Sequence, residues 1–403
     1  MKSWKEYKIE DIGIVVGGAT PSTKDSSNYD GNIPWITPKD LANHNGRYIS
    51  HGERMISLQG FNNCSCKMLP KNSILFSSRA PIGYVAIANN ELCTNQGFKS
   101  IIPNNNIVDS LFLYYLLVYY KPVIENMGSG TTFKEVSASV MKNLAINIPE
   151  IDEQKKIAAI LSSLDDKIEL NSRINRNLEQ QAQALFKAWF VDFEPFKNGK
   201  FVDSELGKIP EGWKVVELGK VTKHITERVG QKNDIKVLSP ITTGELVLSE
   251  EYFTKQVFSE NIAKYIIVKP KQFAYNPARV NIGSLGMNTF TFTGCVSPVY
   301  VVFECENRYE HFFDCLRKTK SFKEEVISRA IGGVRQSLGY KDFSIIKTIY
   351  PPKQVIIRFN ELYLKLLQLR RFNIKENDSL SSLRDTLLPK LMSGELNVNT
   401  ITE

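Results

Sequence analysis

The side chains best suited to contact a charged partner lie in short polar loops that also carry glycine or proline. These loops are TPSTKDSSN at 20–28, TPKD at 37–40, SSRAP at 77–81, GSGTTFK at 128–134, ITERVGQKN at 225–233, SPITTGE at 239–245, NPARVN at 276–281 and IGGVRQS at 331–337. Lysine and arginine neutralise phosphates, and the same residues with asparagine, glutamine, serine and threonine hydrogen-bond base edges in nucleic acids. For any single residue here, a solvated turn is the simpler interpretation.

The predicted nucleic-acid contacts are basic, hydroxyl and amide side chains of these loops. They are Thr20, Ser22, Lys24, Lys39, Ser78, Arg79, Thr131, Thr132, Lys134, Arg228, Lys232, Thr243, Arg279, Arg335 and Gln336. Arg79 and Arg279 have the strongest support, because SSRAPIG at 77–83 and PARVNIG at 277–283 share the arginine, the isoleucine and the glycine. A repeated arginine can equally hold an internal carboxylate, so both interpretations stay open.

Patterns that would indicate catalysis or a metal are present only in incomplete form. NPAR at 276–279 is similar to the Asn-Pro-Pro-aromatic tetrad of adenine methyltransferases, but Arg279 replaces the aromatic residue and no glycine-rich cofactor motif precedes it. The six cysteines and four histidines form neither CxxC nor HExxH, and Cys64 and Cys66 are one residue closer than zinc ligands usually are. We therefore predict reduced thiols, no metal, no catalytic residue and no cofactor in this chain.

Composition indicates a globular protein of more than one domain. The 403 residues are 42% hydrophobic and 23% charged, and a net charge of +8 gives weak support for a polyanionic partner. The longest apolar run, LFLYYLLVYY at 111–120, is shorter than the ~20 residues of a membrane helix, and we expect a buried helix or strand there with Asp109 or Ser110 as a helix cap. The start of the chain has no apolar signal core, so we expect a cytoplasmic protein.

The chain is built from an internal repeat of about half its length. NIPEIDEQKKIAAILSSLDDKIELN at 147–171 and IYPPKQVIIRFNELYLKLLQLRRFN at 349–373 share one layout, with Pro149, Leu164 and Asn171 recurring 202 residues later. Short alternating apolar segments separated by Gly and Pro precede each copy, which predicts mostly β domains. We predict an α+β fold with domains at 1–149 and 196–348 and long helices at 150–195 and 349–403.

Apolar residues in both long segments recur every three or four positions, which predicts coiled-coil helices. The predicted interface residues are Ile157, Leu161, Leu164, Ile168, Asn171, Asn175, Leu178, Leu185, Trp189, Phe359, Leu362, Leu366, Leu369, Asn373, Asn377, Leu380, Leu383 and Leu387. If the helices pack antiparallel about Arg173 and Lys375, Asn171 faces Asn377 and Trp189 faces Phe359. In that pairing Leu164 and Leu178 face Arg384 and Arg370. The asparagines could alternatively face a partner subunit.

Two domains on antiparallel helices give one chain an internal two-fold axis. The backbone of duplex DNA has the same symmetry, and dimeric DNA-binding proteins use it by placing recognition elements one or more helical turns, ~34 Å each, apart. Two diverged domains in one chain would suit a target with two different halves. We therefore expect a double-stranded DNA partner.

The chain resembles the specificity subunits of type I restriction-modification systems over nearly its full length. The resemblance rests on IPWITPKDL at 33–41, LPKNSILFSSRAPIGYVAIA at 69–88, CTNQGFKSI at 93–101 and GTTFKEVS at 130–137 followed by NLAINIPEIDEQKKIAAILSSLDDKI. It implies two target recognition domains that each recognise half of a split DNA sequence, and helices that act as spacer and docking site for two methyltransferase subunits. S-adenosylmethionine, ATP and magnesium are expected only in those and in the nuclease-translocase subunits.

The second half departs from the family pattern. It has no IPW motif, and PEIDEQ at the start of the first long helix becomes PPKQVI at the start of the second. We therefore leave open whether both methyltransferase subunits dock identically. The alternative functions are a self-sufficient adenine-specific DNA methyltransferase and a coiled-coil scaffold without DNA contact.

Overall fold

The computed structural model describes residues 4–42, 44, 46–130, 134–231, 234–330 and 337–398. The chain divides into two compact units, one formed by residues 1–174 with 372–403 and the other by residues 175–371. Each unit therefore combines a sheet domain with part of both long helices. The sequence predicted four segments instead, in which each long helix is separate from the sheet domains.

The first unit is built on strands rich in isoleucine and valine, joined by short turns. Its strands are β1 Lys5–Lys8, β2 Gly13–Gly17, β3 Tyr29–Ile36, β4 Tyr48–Ile49, β5 Met55–Ile56, β6 Ile74–Ser78, β7 Ile82–Ala88, β8 Cys93–Thr94, β9 Lys99–Pro103 and β10 Ala145–Ile148. Its short helices are α1 Ile9–Ile12, α2 Pro38–Ala42, α3 Leu58–Asn62, α4 Ser110–Met127 and α5 Ala138–Lys142, with a 3-10 turn at Ser26–Asn28.

A five-stranded sheet of order β2-β9-β6-β7-β4 forms the centre of this unit, beside a smaller sheet of order β5-β3-β8. The apolar run at 111–120 lies within helix α4 and packs in the main hydrophobic core, where Phe112 and Leu116 are fully buried. Asp109 caps this helix, because its side chain accepts hydrogen bonds from the backbone N–H groups of Leu111 and Phe112. The predicted cap and the buried helix are thus both present.

The second unit has shorter strands than the first. They are β11 Phe201–Ser204, β12 Gly207–Pro210, β13 Lys214–Glu217, β14 Thr222–Ile225, β15 Leu238–Pro240, β16 Leu246–Leu248, β17 Ile266–Val268, β18 Phe273–Tyr275, β19 Leu285–Met287, β20 Gly294–Val296, β21 Val301–Cys305 and β22 Lys347–Tyr350. The intervening helices are α7 Leu218–Val221, α8 Ser249–Tyr252, α9 Glu310–Leu316, α10 Lys320–Arg329 and α11 Tyr340–Ser344, with 3-10 turns at Glu194–Phe196 and Val280–Ile282.

Four strands of the main sheet have the same order in the two sheet domains. The second unit's largest sheet runs β14-β21-β18-β19, which repeats β2-β9-β6-β7 of the first unit. The antiparallel pair β1-β10 also recurs as β13-β22. An equivalent backbone hydrogen bond lies next to each strand pair. In the first unit the Ile9 N–H donates to the Leu144 carbonyl (3.1 Å), and in the second unit the Leu218 N–H donates to the Ile346 carbonyl (2.9 Å). The predicted α+β class with two repeated domains is confirmed.

Two 40-residue helices carry the repeated long segments, and each contributes to both units. Helix α6 is Ile151–Phe190 and helix α12 is Lys353–Met392. In the first unit, Asp165 contacts Arg384 and Asn171 contacts Asn377. In the second unit, Glu179 lies 3.9 Å from Arg370 and the ring of Trp189 lies 6.2 Å from that of Phe359. Within each unit the helices are therefore antiparallel, as predicted.

The predicted interface of α12 needs correction at three positions. Leu362, Leu369 and Leu383 are 44%, 55% and 47% exposed. The packed stripe instead contains the residue that follows each of them, because the three-four spacing that begins at Phe359 continues to Tyr363, Arg370 and Arg384. At Leu369 and Leu383 the prediction assumed that an apolar side chain fills every layer, and at Leu362 the adjacent tyrosine fills the layer instead. Arginine can occupy a layer by placing its stem on the helix and its charge on a carboxylate.

The other predicted interface residues that lie on these helices are buried or half-buried. In the first unit Ile157, Leu161, Leu387 and Leu391 share one core. In the second unit Leu185, Trp189, Phe359 and Leu366 share another, with the aromatic side chains of Phe186 and Phe190. The long helices are thus held to their own sheet domain as well as to each other within each unit.

The asparagine layer in the first unit is buried. Asn171 is 1% exposed, and its side-chain amide donates to the Asn377 side-chain oxygen at 2.9 Å and to the Glu376 carboxylate at 2.6 Å. Asn377 in turn lies 3.4 Å from the Ile168 carbonyl. These contacts show that Asn171 and Asn377 face each other in this chain, as the antiparallel pairing predicted.

Candidate nucleic-acid interface

Several of the predicted polar loops of the first unit meet at one end of the five-stranded sheet. The strand register places Gly17 of β2 beside Lys99 of β9, and Ser78 of β6 beside Ile82 of β7. The loops that follow β2, connect β6 with β7 and precede β9 therefore emerge at the same end. Antiparallel pairing produces this convergence, since consecutive turns alternate between the two ends of a sheet.

Three contacts hold these loops together. The Thr20 hydroxyl donates to the Gln96 side-chain oxygen, and the Ala19 N–H donates to the Thr94 carbonyl at 3.0 Å. Gly97 faces Pro38 so closely that a Cβ on this glycine would lie 2.8 Å from the proline ring. Lys39 therefore lies next to the loop that contains Gln96. We call the set of residues 18–24, 38–39, 78–81, 95–97 and 134–135 the first loop surface.

Arg79 belongs to an ionic cluster at this surface. Its guanidinium lies 3.4 Å from the Glu135 carboxylate, and Lys99 lies 3.1 Å from the same carboxylate. Both side chains of the Arg79–Glu135 pair are about one-third exposed. Arg79 is therefore paired with a carboxylate of this chain, that of Glu135, which is one of the two interpretations of Arg79 from the sequence. Two cations on one anion leave net positive charge at the surface, so this contact is compatible with phosphate binding.

The structure places most predicted contacts of the first unit at exposed positions. Thr20, Ser22, Lys24, Lys39 and Lys134 are exposed. Lys39 makes an ion pair with Glu53 at 2.7 Å, which is weak because both side chains are about two-thirds exposed. Their role in nucleic-acid contact stays a prediction.

Ser78 is a correction to the predicted contacts. It is fully buried, its backbone N–H donates to the Gly97 carbonyl at 2.7 Å, and its hydroxyl accepts from Lys99 at 3.3 Å. The serine is the last residue of β6, and its side chain points into the unit. It can support the Arg79 turn, but it cannot reach a ligand at the surface in this conformation.

Sequence reasoning missed Lys99 and Gln96. Lys99 is the first residue of β9, and Gln96 lies in the short loop before it. Both belong to CTNQGFKSI at 93–101, the stretch that was used for the family resemblance and not for the list of contacts. The signal that could have identified them is that this stretch leads into β9, which pairs with β6, the strand that ends at Ser78 just before Arg79.

The equivalent end of the second unit's sheet also collects predicted loops. Tyr275 of β18 pairs with Val301 of β21 and with Leu285 of β19, so the turn at 276–284 lies at this end. Gly283 approaches the Thr242 carbonyl, at 2.6 Å from where its Cβ would be, which places the loop of Thr243 beside the turn of Arg279. Arg228, Thr243 and Arg279 are exposed. We call residues 226–231, 242–245, 276–284 and 297–300 the second loop surface.

The remaining predicted contacts lie outside the described residues. They are Thr131, Thr132, Lys232, Arg335 and Gln336.

Asn276 has a structural role in the second loop surface. Its side-chain oxygen accepts the Ala278 N–H at 3.0 Å, and its carbonyl accepts the Arg279 N–H at 3.0 Å. The side chain therefore closes an Asx turn on its own backbone. NPAR at 276–279 forms a turn, the interpretation favoured over a methyltransferase motif.

Helix α12 also carries large apolar side chains that are exposed in the described part of the chain. Leu362 and Leu369 of the second unit are 44% and 55% exposed, and Phe372 of the first unit is 65% exposed. Leu362 and Leu369 are seven residues apart, so they lie on the same side of helix α12. Exposed leucines at this spacing are typical of a protein contact.

Among the described residues there is no group of three His, Cys, Asp or Glu side chains arranged to hold a metal ion. Across the described part of the chain, no helix has the length and apolarity required to span a membrane.

The fold and these surfaces define a class of protein built from a duplicated sheet domain and a duplicated long helix. Residues 1–180 match the family described as type I restriction modification DNA specificity domain. The specificity subunit of type I restriction enzyme MjaIX from Methanocaldococcus jannaschii is 38% identical, over 99% of this chain and 95% of the relative. The HindI specificity subunit from Haemophilus influenzae is 28% identical, over 98% of this chain and all of that relative.

The fold of the chain is similar to a solved structure along its whole length. The crystal structure of the type I restriction-modification system S subunit from M. genitalium superposes with a TM-score of 0.57 at 18% identity, covering 96% of each chain. This likeness concerns the fold. With the full-length relatives, the family is established: the chain belongs to the specificity subunits of type I restriction enzymes.

Proposed function

We propose that this chain is the DNA sequence-recognition subunit of a type I restriction-modification complex, and that each sheet domain recognises one half of a bipartite target. The observation that carries this proposal is the repeated domain, whose loops converge at the same end of the sheet in both copies. Two loop surfaces with different side chains suit two different half-sites. Lysine and arginine provide the phosphate contacts, and the hydroxyl and amide side chains provide hydrogen bonds to base edges.

The long helices serve as the spacer between the half-sites in this proposal. A 40-residue helix extends about 60 Å at ~1.5 Å per residue. Because α6 and α12 each contribute to both units, the length of the helices fixes the number of base pairs between the halves of the target. The Asn171–Asn377 contact favours one register, as buried asparagines do in coiled coils.

Helix α12 is also a docking site for methyltransferase subunits. Leu362 and Leu369 are apolar and exposed in the isolated chain, which is what a surface reserved for another subunit requires. We expect two methyltransferase subunits and, for DNA cleavage, nuclease-translocase subunits in the complete complex. The chain itself performs no catalytic step. S-adenosylmethionine, ATP and magnesium bind in the partner subunits, and the complex works in the cytoplasm.

The alternative functions lack a supporting observation. A self-sufficient methyltransferase would need the NPAR segment at 276–279 to bind a flipped base, but its asparagine is occupied by the turn. A scaffold without DNA contact would leave two sets of converging basic loops unexplained.

The salt dependence of DNA binding tests the proposal. Each phosphate contact adds to the slope of binding affinity against salt, so the complex should bind its duplex target much more weakly as salt rises. The Arg79→Ala variant should bind more weakly and lose about one unit of that slope. The matched control is Arg173→Ala, which removes an exposed arginine of helix α6. If the affinity of the unmodified complex for duplex DNA did not change with salt concentration, the result would contradict DNA recognition and favour the scaffold.

A further inference from the structure

Arg54 of the first unit is an exposed arginine whose guanidinium is stacked on the ring of Tyr29. The centre of the guanidinium lies 4.0 Å from the ring centroid, which is close enough for a cation–π contact. Among the described residues Arg54 makes no ion pair. Lys39, by contrast, is paired with the Glu53 carboxylate at 2.7 Å. The charge of Arg54 is therefore held in place without a carboxylate to neutralise it.

The ring beneath this arginine is bonded to the first loop surface. Tyr29 is 6% exposed, and its hydroxyl donates to the Pro21 carbonyl at 2.8 Å. The Trp35 ring packs edge-on against Tyr29, with centroids 6.2 Å apart, and its indole N–H donates to the Ala19 carbonyl at 3.0 Å. Both carbonyls belong to the loop at 18–24. The two rings therefore hold that loop and the guanidinium in a fixed relation to each other.

The backbone that carries Arg54 is also tied to the first loop surface. The Glu53 N–H donates to the Asp40 carboxylate at 2.7 Å, and the Glu53 carboxylate makes the ion pair with Lys39. On the other side, strand β5 begins at the next residue and pairs with β3. Arg54 is therefore fixed beside the loop of Lys39 by its own backbone as well as by its side chain.

A guanidinium stacked in this way keeps one edge for hydrogen bonding. Its face covers the tyrosine ring, and the N–H groups in its plane remain available as donors. Two parallel N–H groups match two coplanar acceptors, which DNA offers at O6 and N7 of guanine and at two oxygens of a phosphate. Because the stack already restricts the side chain, less conformational entropy is lost when the contact forms.

We propose that Arg54 makes a bidentate contact to DNA in the half-site that the first domain recognises. The paired acceptors are those of one guanine or of one phosphate group. This inference rests on the proposed function, and it adds to the first loop surface a residue that was not among the contacts predicted from the sequence.

The experiment measures the affinity of the complete chain, assembled with its methyltransferase subunits, for a duplex that carries the target mapped by methylated-adenine sequencing. Arg54→Ala should lower the affinity by about tenfold or more. Arg54→Lys keeps the charge but not the planar pair of donors, so it should lose most of the same affinity. Melting temperatures of both variants should stay close to that of the unmodified chain, because the side chain is exposed.

The matched control is Lys71→Ala. Lys71 is an exposed cation of the same domain, and it precedes β6 at the end of that strand opposite to the Arg79 turn. It also makes no ion pair among the described residues. The control loses the same charge as Arg54→Ala, and it should bind the target as the unmodified chain does.

Two further measurements distinguish guanine from phosphate. Each guanine of the half-site is replaced in turn by 7-deazaguanine, which lacks the N7 acceptor. If Arg54 contacts a guanine, one replacement should weaken binding of the unmodified chain by about fivefold and leave Arg54→Ala unaffected. If it contacts a phosphate, no replacement should do so, and Arg54→Ala should weaken binding to all duplexes and reduce the salt slope by about one unit.

Two results would overturn the inference. One is an affinity of Arg54→Ala equal to that of the Lys71→Ala control. The other is full affinity of Arg54→Lys, which would show that charge alone acts at this position. An unmodified complex that does not bind its duplex target would instead contradict the proposed function, whereas normal binding by the unmodified complex and by Arg54→Ala would contradict the role of Arg54 alone.

Discussion

Arg317 illustrates how single buried charges determine the stability of the second unit. Its guanidinium lies 2.5 Å from the Asp314 carboxylate and also donates to the Leu285 carbonyl at 2.7 Å. Lys318 contacts the other oxygen of Asp314 at 3.0 Å. Both Asp314 and Arg317 are less than 10% exposed. This cluster connects helix α9 to strand β19 just behind the second loop surface.

The cluster of Asp314, Arg317 and Lys318 should make the free energy of unfolding depend on pH. Burial alone would raise the pKa of Asp314, but Arg317 and Lys318 outweigh it and hold the pKa below its ordinary value. A carboxylate with a lowered pKa stabilises the fold at pH values above its unfolded pKa, and that contribution disappears as pH falls through the folded pKa. Stability from Asp314 is therefore present at neutral pH and lost only in acid, below the ordinary carboxyl range near 3.8.

We expect Asp314→Asn to destabilise the second unit by about 3–5 kcal/mol at neutral pH, since it leaves a buried arginine without its anion. The difference in the free energy of unfolding between this variant and the unmodified chain should become smaller as the pH falls below the ordinary carboxyl range. Urea unfolding measured across that range checks this, with Asp203→Asn on exposed strand β11 as the control. A difference that stays constant with pH would show that Asp314 does not act through its charge.

At the scale of elements, the layers between α6 and α12 decide register. Asn171 of the first unit is buried, and among the described residues its side-chain oxygen has no hydrogen-bond partner, although its amide makes two hydrogen bonds. Such a layer favours one pairing at a cost in stability. An apolar layer of the same size would be more stable and less selective.

Substitution of the asparagines tests whether this layer lowers stability while it favours one register of the two helices. Asn171→Leu alone should destabilise the first unit by about 1–3 kcal/mol, because the Asn377 side-chain oxygen loses the hydrogen bond that the Asn171 amide donates. Asn171→Leu combined with Asn377→Leu should restore the stability to that of the unmodified chain or above it. Thermal melting of the three proteins provides the measurement. A double variant as unstable as the single one would show that the layer does not behave as a paired unit.

The exposed leucines of helix α12 give a prediction about partners. Leu362→Lys with Leu369→Lys should leave the melting temperature of the chain nearly unchanged, because both side chains are already exposed. The affinity for the methyltransferase subunit should fall by about tenfold or more. The matched control is Glu361→Lys with Gln368→Lys, which adds the same side chains one position earlier on the helix. Equal loss in both variants would indicate a charge effect and not an apolar contact.

Much of the element scale could be predicted from sequence. The repeat, the long helices, their antiparallel pairing in each unit and the cap at Asp109 follow from spacing and from residue type. The interface of α12 was predicted wrongly at Leu362, Leu369 and Leu383, because the residue that packs is the next one along the chain: Tyr363 in the first case, and Arg370 and Arg384, which pair with Glu179 and Asp165, in the other two. Burial of Ser78 was likewise not predicted, because serine is mostly exposed in folded proteins and a polar loop sequence favours that interpretation.

Only part of each loop surface could be predicted from the sequence. Residues near one another in sequence, such as Gly128, Gly130 and Lys134, were assigned to one predicted loop. Contacts between distant segments, such as Thr20 with Gln96 and Cys66 with Thr94, depend on strand register and appear only in the fold. Sequence spacing identified which loops carry polar side chains, and topology determined which of them meet.

At the scale of the whole molecule, duplication explains the division of labour that we propose. One domain topology occurs twice with different loop residues, so each copy can change its target without altering the other. The helices carry the repeated segments that continue from each domain. Specificity would then be modular: half-site identity belongs to the domains, and half-site spacing belongs to the helices.

The most direct test of this account is the methylation pattern of a complex in which residues 1–149 are replaced by the corresponding domain of another family member. Sequencing that detects methylated adenine should show one half of the target replaced, with the other half and the spacing unchanged. A change in both halves, or in neither, would contradict the assignment of one half-site to each domain.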